Sequence, residues 1–309
     1  MVDNRQQWKA WLYLAPAIVL LLVFTFWPIV NTIRMAFLEG YNSLGAVGGE
    51  TYSFGFGNFV KVASYSKFLT CLKNTCLLCV LTVPISSFLA LLIAVCLNSI
   101  RPLKRVLQTI YFLPYVTNSI AIGMVFAMMF NIVGTVDTVV TAGIINNILG
   151  IFGIGPVNWI NAGSSYAANI TVLVVYIVWN ALPFKILILL GGLQGIDKQY
   201  YEAAKIDGAS RARVFWRVTV PLLSPMIAYV VITGFIGGFK EYSSIVGIYG
   251  ATMGPVGDSK KLNTMVGFIY DALADSNYGR ASAAALILFG IILVITLINL
   301  WVSKKKVHY

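Results

Sequence analysis

The chain has 309 residues, 59% of them hydrophobic and 11% charged, with a mean hydropathy of +0.82. Soluble domains carry roughly 45–50% apolar and about 25% charged residues, so a water-soluble fold is excluded: too few charges remain to cover its surface. The net charge of +11 does not mark a nucleic-acid binder, because the charges sit in short connections between apolar blocks and form no basic-aromatic groove.

Residues 12–37 are the first of six apolar blocks, each long enough to cross a hydrocarbon core about 30 Å thick as a helix of ~20 residues. The others are 71–97, 106–132, 169–193, 222–249 and 281–302, which predicts an all-α protein with six transmembrane helices in a single transmembrane domain spanning 1–309. Arg5 and Lys9 before the first block resemble the start of a signal peptide. The apolar run is longer than a signal core and no small-residue cleavage site follows it, so it reads as an uncleaved span. Residues 38–70 are rich in Gly, Tyr and Phe and read as an interfacial segment; 143–166, with Pro156 and Trp159, read as short helices or turns at the outer surface. Cys76-x-x-Cys79 in the second block has no second pair and no nearby histidine, since His308 is the only one, so these cysteines read as ordinary buried thiols.

Orientation follows from the connections. Arg5 and Lys9, Arg101, Lys104 and Arg105, the five cations of 198–217, and Lys304, Lys305 and Lys306 all fall on one side, against only four acids. The opposite side is nearly balanced, and its connection 133–168 has no Lys or Arg at all. The positive-inside rule therefore puts both termini in the cytoplasm.

Enzymatic chemistry is hard to build here. There is no Gly-x-x-x-x-Gly-Lys phosphate loop, and five of the six blocks lack the buried carboxylates a proton relay needs. If energy drives transport through this chain, it must come from a partner. Gly191-x-x-x-Gly195 and Gly234-x-x-x-Gly238 have the spacing of close helix packing, a pattern frequent by chance in Gly-rich membrane helices.

The connection 194–221 differs from the rest. Asp197 is placed as an N-cap, 197–206 favours a helix, and Gly208 stands where a left-handed helix end puts glycine. Small Ala203 and Ala204 beside Tyr200, Tyr201 and Ile206 suit docking into a cleft of another protein; a solvated basic loop fits the same pattern. Glu202-Ala203-Ala204, Gly208, then Val218-x-Val220-Pro221 resemble the EAA motif of binding-protein-dependent ABC importer permeases, with Val218 and Val220 as conservative departures from the usual ending. Leu113-Pro114-Tyr115, Asn158-Trp159, Gly192-Leu193-Gln194, Gly254-Pro255 and the segment 278–283 resemble its carbohydrate-uptake branch, related to maltose and glycerol-phosphate permeases. The resemblance runs from about residue 10 to 303.

That resemblance implies a type I importer transmembrane domain in the bacterial inner membrane, with no cofactor of its own. Its substrate would be a sugar or oligosaccharide delivered by an extracytoplasmic solute-binding protein. A cytoplasmic ATPase dimer and a second permease, usually making a heterodimer, would complete the complex. Glu202, Ala203, Ala204, Asp207 and Gly208 would form the coupling helix and its end. Tyr115, Ser119, Phe184, Gly238 and Glu241 would take the positions of the sugar path. Gly238 and Glu241 replace asparagines of the family, and Lys185 is an added charge, so a different sugar or a charged substrate both fit. Lys185 is placed to snorkel toward the cytoplasmic face, and Lys240 and Glu241 to pair with each other or with a partner subunit. A secondary transporter or channel is the alternative, and a membrane-embedded enzyme a more distant one.

Overall fold

The computed structural model describes residues 7–49, 51–100, 104–134 and 139–306; Arg5, Arg101 and His308 fall outside the described residues. The first helices are α1 (Gln7–Leu21) and α2 (Trp27–Phe37), joined through a π-helical turn at Leu22–Phe26. Pro28 gives the reason, because its nitrogen carries no hydrogen to donate to the carbonyl one turn back. The short helices α3 (Ser43–Val47) and α4 (Gly57–Ser64) precede the long α5 (Ser66–Ser99).

Next come α6 (Lys104–Val116) and α7 (Ser119–Phe130), which meet at 98° rather than running on as one rod. The turn is built locally. Asn118 caps α7, its Oδ1 accepting from the amides of Ile120 (2.9 Å) and Ala121 (3.3 Å), and Thr117 Oγ1 donates to the Pro114 carbonyl at 2.8 Å. A small antiparallel hairpin of β1 (Ile132–Gly134) and β2 (Val139–Ala142) leads to α8 (Ile144–Ile151) and the long α9 (Tyr166–Gln194).

Then follow α10 (Lys198–Ile206), α11 (Arg211–Val214), a second π-helical turn at Phe215–Thr219, and α12 (Val220–Leu222). This turn again stands two residues before a proline, Pro221, for the reason given at Pro28. The chain bends by 68° into α13 (Ser224–Phe239), breaks at Lys240, and resumes in α14 (Ser243–Tyr249), α15 (Met265–Ala274) and α16 (Tyr278–Lys306). Four helices, at Trp11–Phe37, Ser66–Ser99, Tyr166–Gln194 and Tyr278–Lys304, are long and apolar enough to cross a membrane. The two bent pairs raise the number to six when each counts as one span. The block 222–249 is thus not one helix: its glutamate and lysine stand at a break.

The residues divide into two compact units. In the unit of Met1–Leu69 and Phe268–Phe289, Asn58 of α4 is buried and ties down the end of α2. Its amide donates to the carbonyls of Ala36 (3.1 Å) and Leu38 (2.7 Å), answering acceptors that a helix end leaves unpaired. A methyl group at Gly279 would sit 2.7 Å from that amide, so glycine is required there. Arg280 pairs with Asp275 at 2.5 Å and lies 5.4 Å from the Tyr65 ring centre.

The unit of Thr70–Gly267 and Gly290–Tyr309 has two apolar cores. One gathers Leu78, Phe130, Tyr176, Ile245, Met253 and Leu262 with their neighbours; the other gathers Ala90, Leu97, Ile186, Leu193, Leu223 and Val230. Near the first, Asn74 donates to the carbonyls of Lys261 (3.0 Å) and Asn263 (2.9 Å) and accepts from the Tyr166 hydroxyl (2.7 Å). Asn146 of α8 holds the following loop through the Val157 amide and the Trp159 indole N–H, each within 3.1 Å.

Candidate functional site

Between those two cores, α5, α9 and α13 leave a cavity of ≈ 390 Å³, within the range of about 300–1,000 Å³ that small-molecule sites occupy. Along α5 the lining residues Thr82, Val83 and Ser86 fall between Leu78 of one core and Ala90 of the other. Along α9 the lining Asn180 and Phe184 fall between Tyr176 and Ile186. All five residues expected on the sugar path, Tyr115, Ser119, Phe184, Gly238 and Glu241, line this cavity.

Each is positioned by a traceable contact. Tyr115 stands on the last turn of α6, just before the 98° bend, and stacks on Phe184 with centroids 5.7 Å apart and planes 19° from parallel. Ser119 opens α7; its hydroxyl lies 3.0 Å from the Tyr176 hydroxyl and accepts from Asn180 Nδ2 at 3.3 Å, while the Tyr176 hydroxyl also donates to the Ser119 carbonyl. Aromatic faces beside hydroxyls and amides match the two surfaces of a sugar, its C–H faces and its hydroxyl rim.

One of the five has a packing role as well. A methyl group built on Gly238 would lie 2.8 Å from Cys79 Sγ, and one on Gly234 would lie 3.1 Å from Val83 Cγ1 and from Lys185 Nζ. The Gly234-x-x-x-Gly238 spacing therefore lets α13 close on α5. Among the described residues Gly191-x-x-x-Gly195 makes no such contact: nothing lies within 4 Å of a methyl group at Gly191, and it is Gly192 that faces Leu223 and Met226. Glu241 does not pair with Lys240. Its Oε1 accepts from the amides of Tyr242 and Ser244, both at 3.1 Å, and so caps the first turn of α14.

Lys185 does not snorkel. It is 5% exposed, and its ammonium turns inward to α5, donating to Ser86 Oγ (2.7 Å), Ser87 Oγ (3.0 Å) and the Val83 carbonyl (3.4 Å). Ser86, Ser87 and Tyr176 are the site residues that sequence reasoning passed over. The available signal was the Ser-Ser pair two residues after Pro84 of Thr82-Val83-Pro84 in an otherwise apolar block. A larger concavity of ≈ 1020 Å³, running from Met124 to Val256, holds none of the expected site residues.

The connection after α9 is equally specific in its geometry. Asp197 caps α10, its Oδ1 accepting from the Gln199 amide at 3.0 Å. At the other end Gly208 has φ +67°, its amide donates to the Lys205 carbonyl (3.1 Å), and the Ala209 amide reaches back to Ala204 (3.0 Å). That pair of bonds is the Schellman helix end, which calls for glycine in the left-handed position. Ala203 and Ala204 do not share a face: Ala204 is buried, while Glu202, Ala203, Asp207 and Gly208 are exposed with Tyr200. Ile206 is 86% exposed, an apolar side chain held out to solvent.

The family described as the binding-protein-dependent transport system inner membrane component matches residues 82–308. The chain belongs to it. This permease is similar to the arabinooligosaccharides transport system permease protein AraP of Halalkalibacterium halodurans, 33% identical over 97% of this chain and 89% of that one. It is also similar to the lactose transport system permease protein LacF of Rhizobium radiobacter, 29% identical over 96% of this chain and 95% of its relative. Among solved structures it shares the fold of a bacterial ABC transporter involved in the import of the acidic polysaccharide alginate. The TM-score is 0.77, with 21% identity over 98% of this chain and 97% of that one. The permease is thus an inner-membrane component of a binding-protein-dependent ABC importer, and not itself an enzyme.

Proposed function

We propose that the permease passes a sugar or oligosaccharide through the ≈ 390 Å³ cavity, driven by ATP hydrolysed on a separate cytoplasmic ATPase dimer that seats α10. The convergence of Tyr115, Ser119, Phe184, Gly238 and Glu241 on one cavity between two sealed cores carries this reading. A path needs a polar chamber closed at both ends by packing that can open in turn. The oligosaccharide and disaccharide named for the similar permeases support a saccharide cargo.

In this reading Glu202, Ala203 and exposed Ile206 meet the ATPase. Asp207 and Gly208 end the coupling helix so that the chain turns back through α11 and α12 into α13. Both termini and α10 face the cytoplasm, as the basic connections favour. The first span, none of whose residues is buried in its apolar window, has the exposed surface that a second permease and lipid would cover. A binding protein delivers the saccharide from outside. The test is uptake by cells carrying Glu202→Lys or Gly208→Pro: both lose ATP-dependent saccharide uptake while inserting normally. Unchanged uptake by both variants would remove α10 from the coupling role.

A further inference from the structure

We infer that the substrate of this cavity bears an anionic group, a carboxylate or a phosphate ester, whose counter-charge is Lys185. The inference rests on the cavity being the substrate path, as proposed above. Lys185 lines the cavity from α9 and is 5% exposed. The three oxygens that its ammonium meets, on Ser86, Ser87 and Val83, are all uncharged. The two hydroxyls are themselves fixed, Ser86 donating to Thr82 at 2.5 Å and Ser87 to Val83 at 2.7 Å, so their lone pairs are presented to the ammonium.

Among the described residues Lys185 takes part in no ion pair. The one carboxylate lining the same cavity, Glu241, is engaged by the amides of Tyr242 and Ser244. Fastening α9 to α5 through neutral oxygens needs only a hydrogen-bond donor. A full charge adds a large desolvation cost that a purely structural contact does not recover. A charge kept in a membrane-embedded chamber without a fixed partner is matched by a mobile one. Gly234, whose absent side chain would stand 3.1 Å from Lys185 Nζ, puts no side chain over the ammonium on the α13 side, and both residues line the chamber.

The experiment uses the permease with its co-purifying subunits. Thr233→Cys, in a chain with all four native cysteines changed to alanine, places a single thiol on the cavity wall. It is labelled with an anionic (sulfonatoethyl) and a cationic (trimethylammonioethyl) methanethiosulfonate. Lys185→Gln keeps a donor for the serines and drops the charge. The ratio of anionic to cationic labelling rates is expected to fall roughly tenfold in Lys185→Gln and to hold in Lys185→Arg.

In parallel, cells are given digalacturonate, glucose 6-phosphate and neutral arabinotriose. Wild-type uptake of an anionic probe, cut about thirtyfold by Lys185→Gln, supports the inference, and which of the two anions enters tells uronate from phosphate. A labelling ratio indifferent to residue 185 overturns it. Uptake of arabinotriose alone also overturns it, while leaving the saccharide importer standing. A charge-dependent ratio with no uptake of any probe upholds the anion-accepting chamber and counts against the saccharide cargo.

Discussion

Gly208 shows how far a single residue can be read in advance and what it controls. Its φ of +67° costs a non-glycine L-residue about 1–2 kcal/mol, because Cβ meets the following carbonyl. Gly208→Val is expected to fray the last turn of α10 and cut uptake several-fold, and Gly208→Asn, which tolerates the left-handed region, to retain most of it; uptake rates at equal membrane content check both. Tyr115 makes a second test. Tyr115→Ala removes a stack of about 0.5–1.5 kcal/mol on Phe184 and should raise the half-saturation concentration for transport several-fold, while Tyr115→Phe keeps the stack and should change it little. Ser86→Ala leaves the Lys185 ammonium one acceptor short, with an expected loss of ~1–3 kcal/mol seen as a lower melting temperature of the purified complex. Asp197 and Gly208 were legible because capping and helix ends obey rules confined to a few neighbouring residues. The partners of Lys185 were not, since Ser86 and Ser87 stand 99 and 98 residues away in the chain and no local pattern brings α5 against α9.

Among elements, hydropathy finds the apolar blocks but has no sense of direction. Residues 106–132 read as one block because both arms of the bend are equally apolar. The bend itself depends on Asn118 capping a fresh helix and on Thr117 closing the old one. Asn118→Ala is expected to cost ~1 kcal/mol and to move Tyr115 and Ser119 relative to α9, so a fall in melting temperature and in uptake should come together. The same blindness merged 222–249, where the break at Lys240 carries the Glu241 cap of α14. Close crossings were also hidden. Gly123 of α7 and Gly247 of α14 lie so near that a methyl group on Gly123 would come within 2.7 Å of Gly247 Cα. Gly247→Val should therefore force the two helices apart at a cost of about 1–3 kcal/mol, measurable as a drop in melting temperature. Both stand in small-x-x-x-small spacings, Ser119-Gly123-Ala127 and Ser243-Gly247-Ala251, but neither forms the Gly-x-x-x-Gly pair that Gly234 and Gly238 do.

For the whole molecule, composition alone placed the chain in a membrane, and a motif of a few residues around Glu202 placed it among importer permeases. The chamber between the two cores was beyond reach of either, because it is defined by side chains from five helices that meet only in the folded unit. Much of its surface makes sense only in company: the first span has no buried residue in its apolar window, and α10 holds Ile206 out to solvent. A permease with these features is a subunit waiting for others. The most direct test of that claim is affinity purification of the tagged permease from native membranes in mild detergent, with mass spectrometry of what accompanies it. The account predicts an ATPase subunit and a second six-span permease in the eluate, with Glu202→Lys losing the ATPase and keeping the second permease. Recovery of the permease alone, under conditions that keep a known importer together, would contradict it.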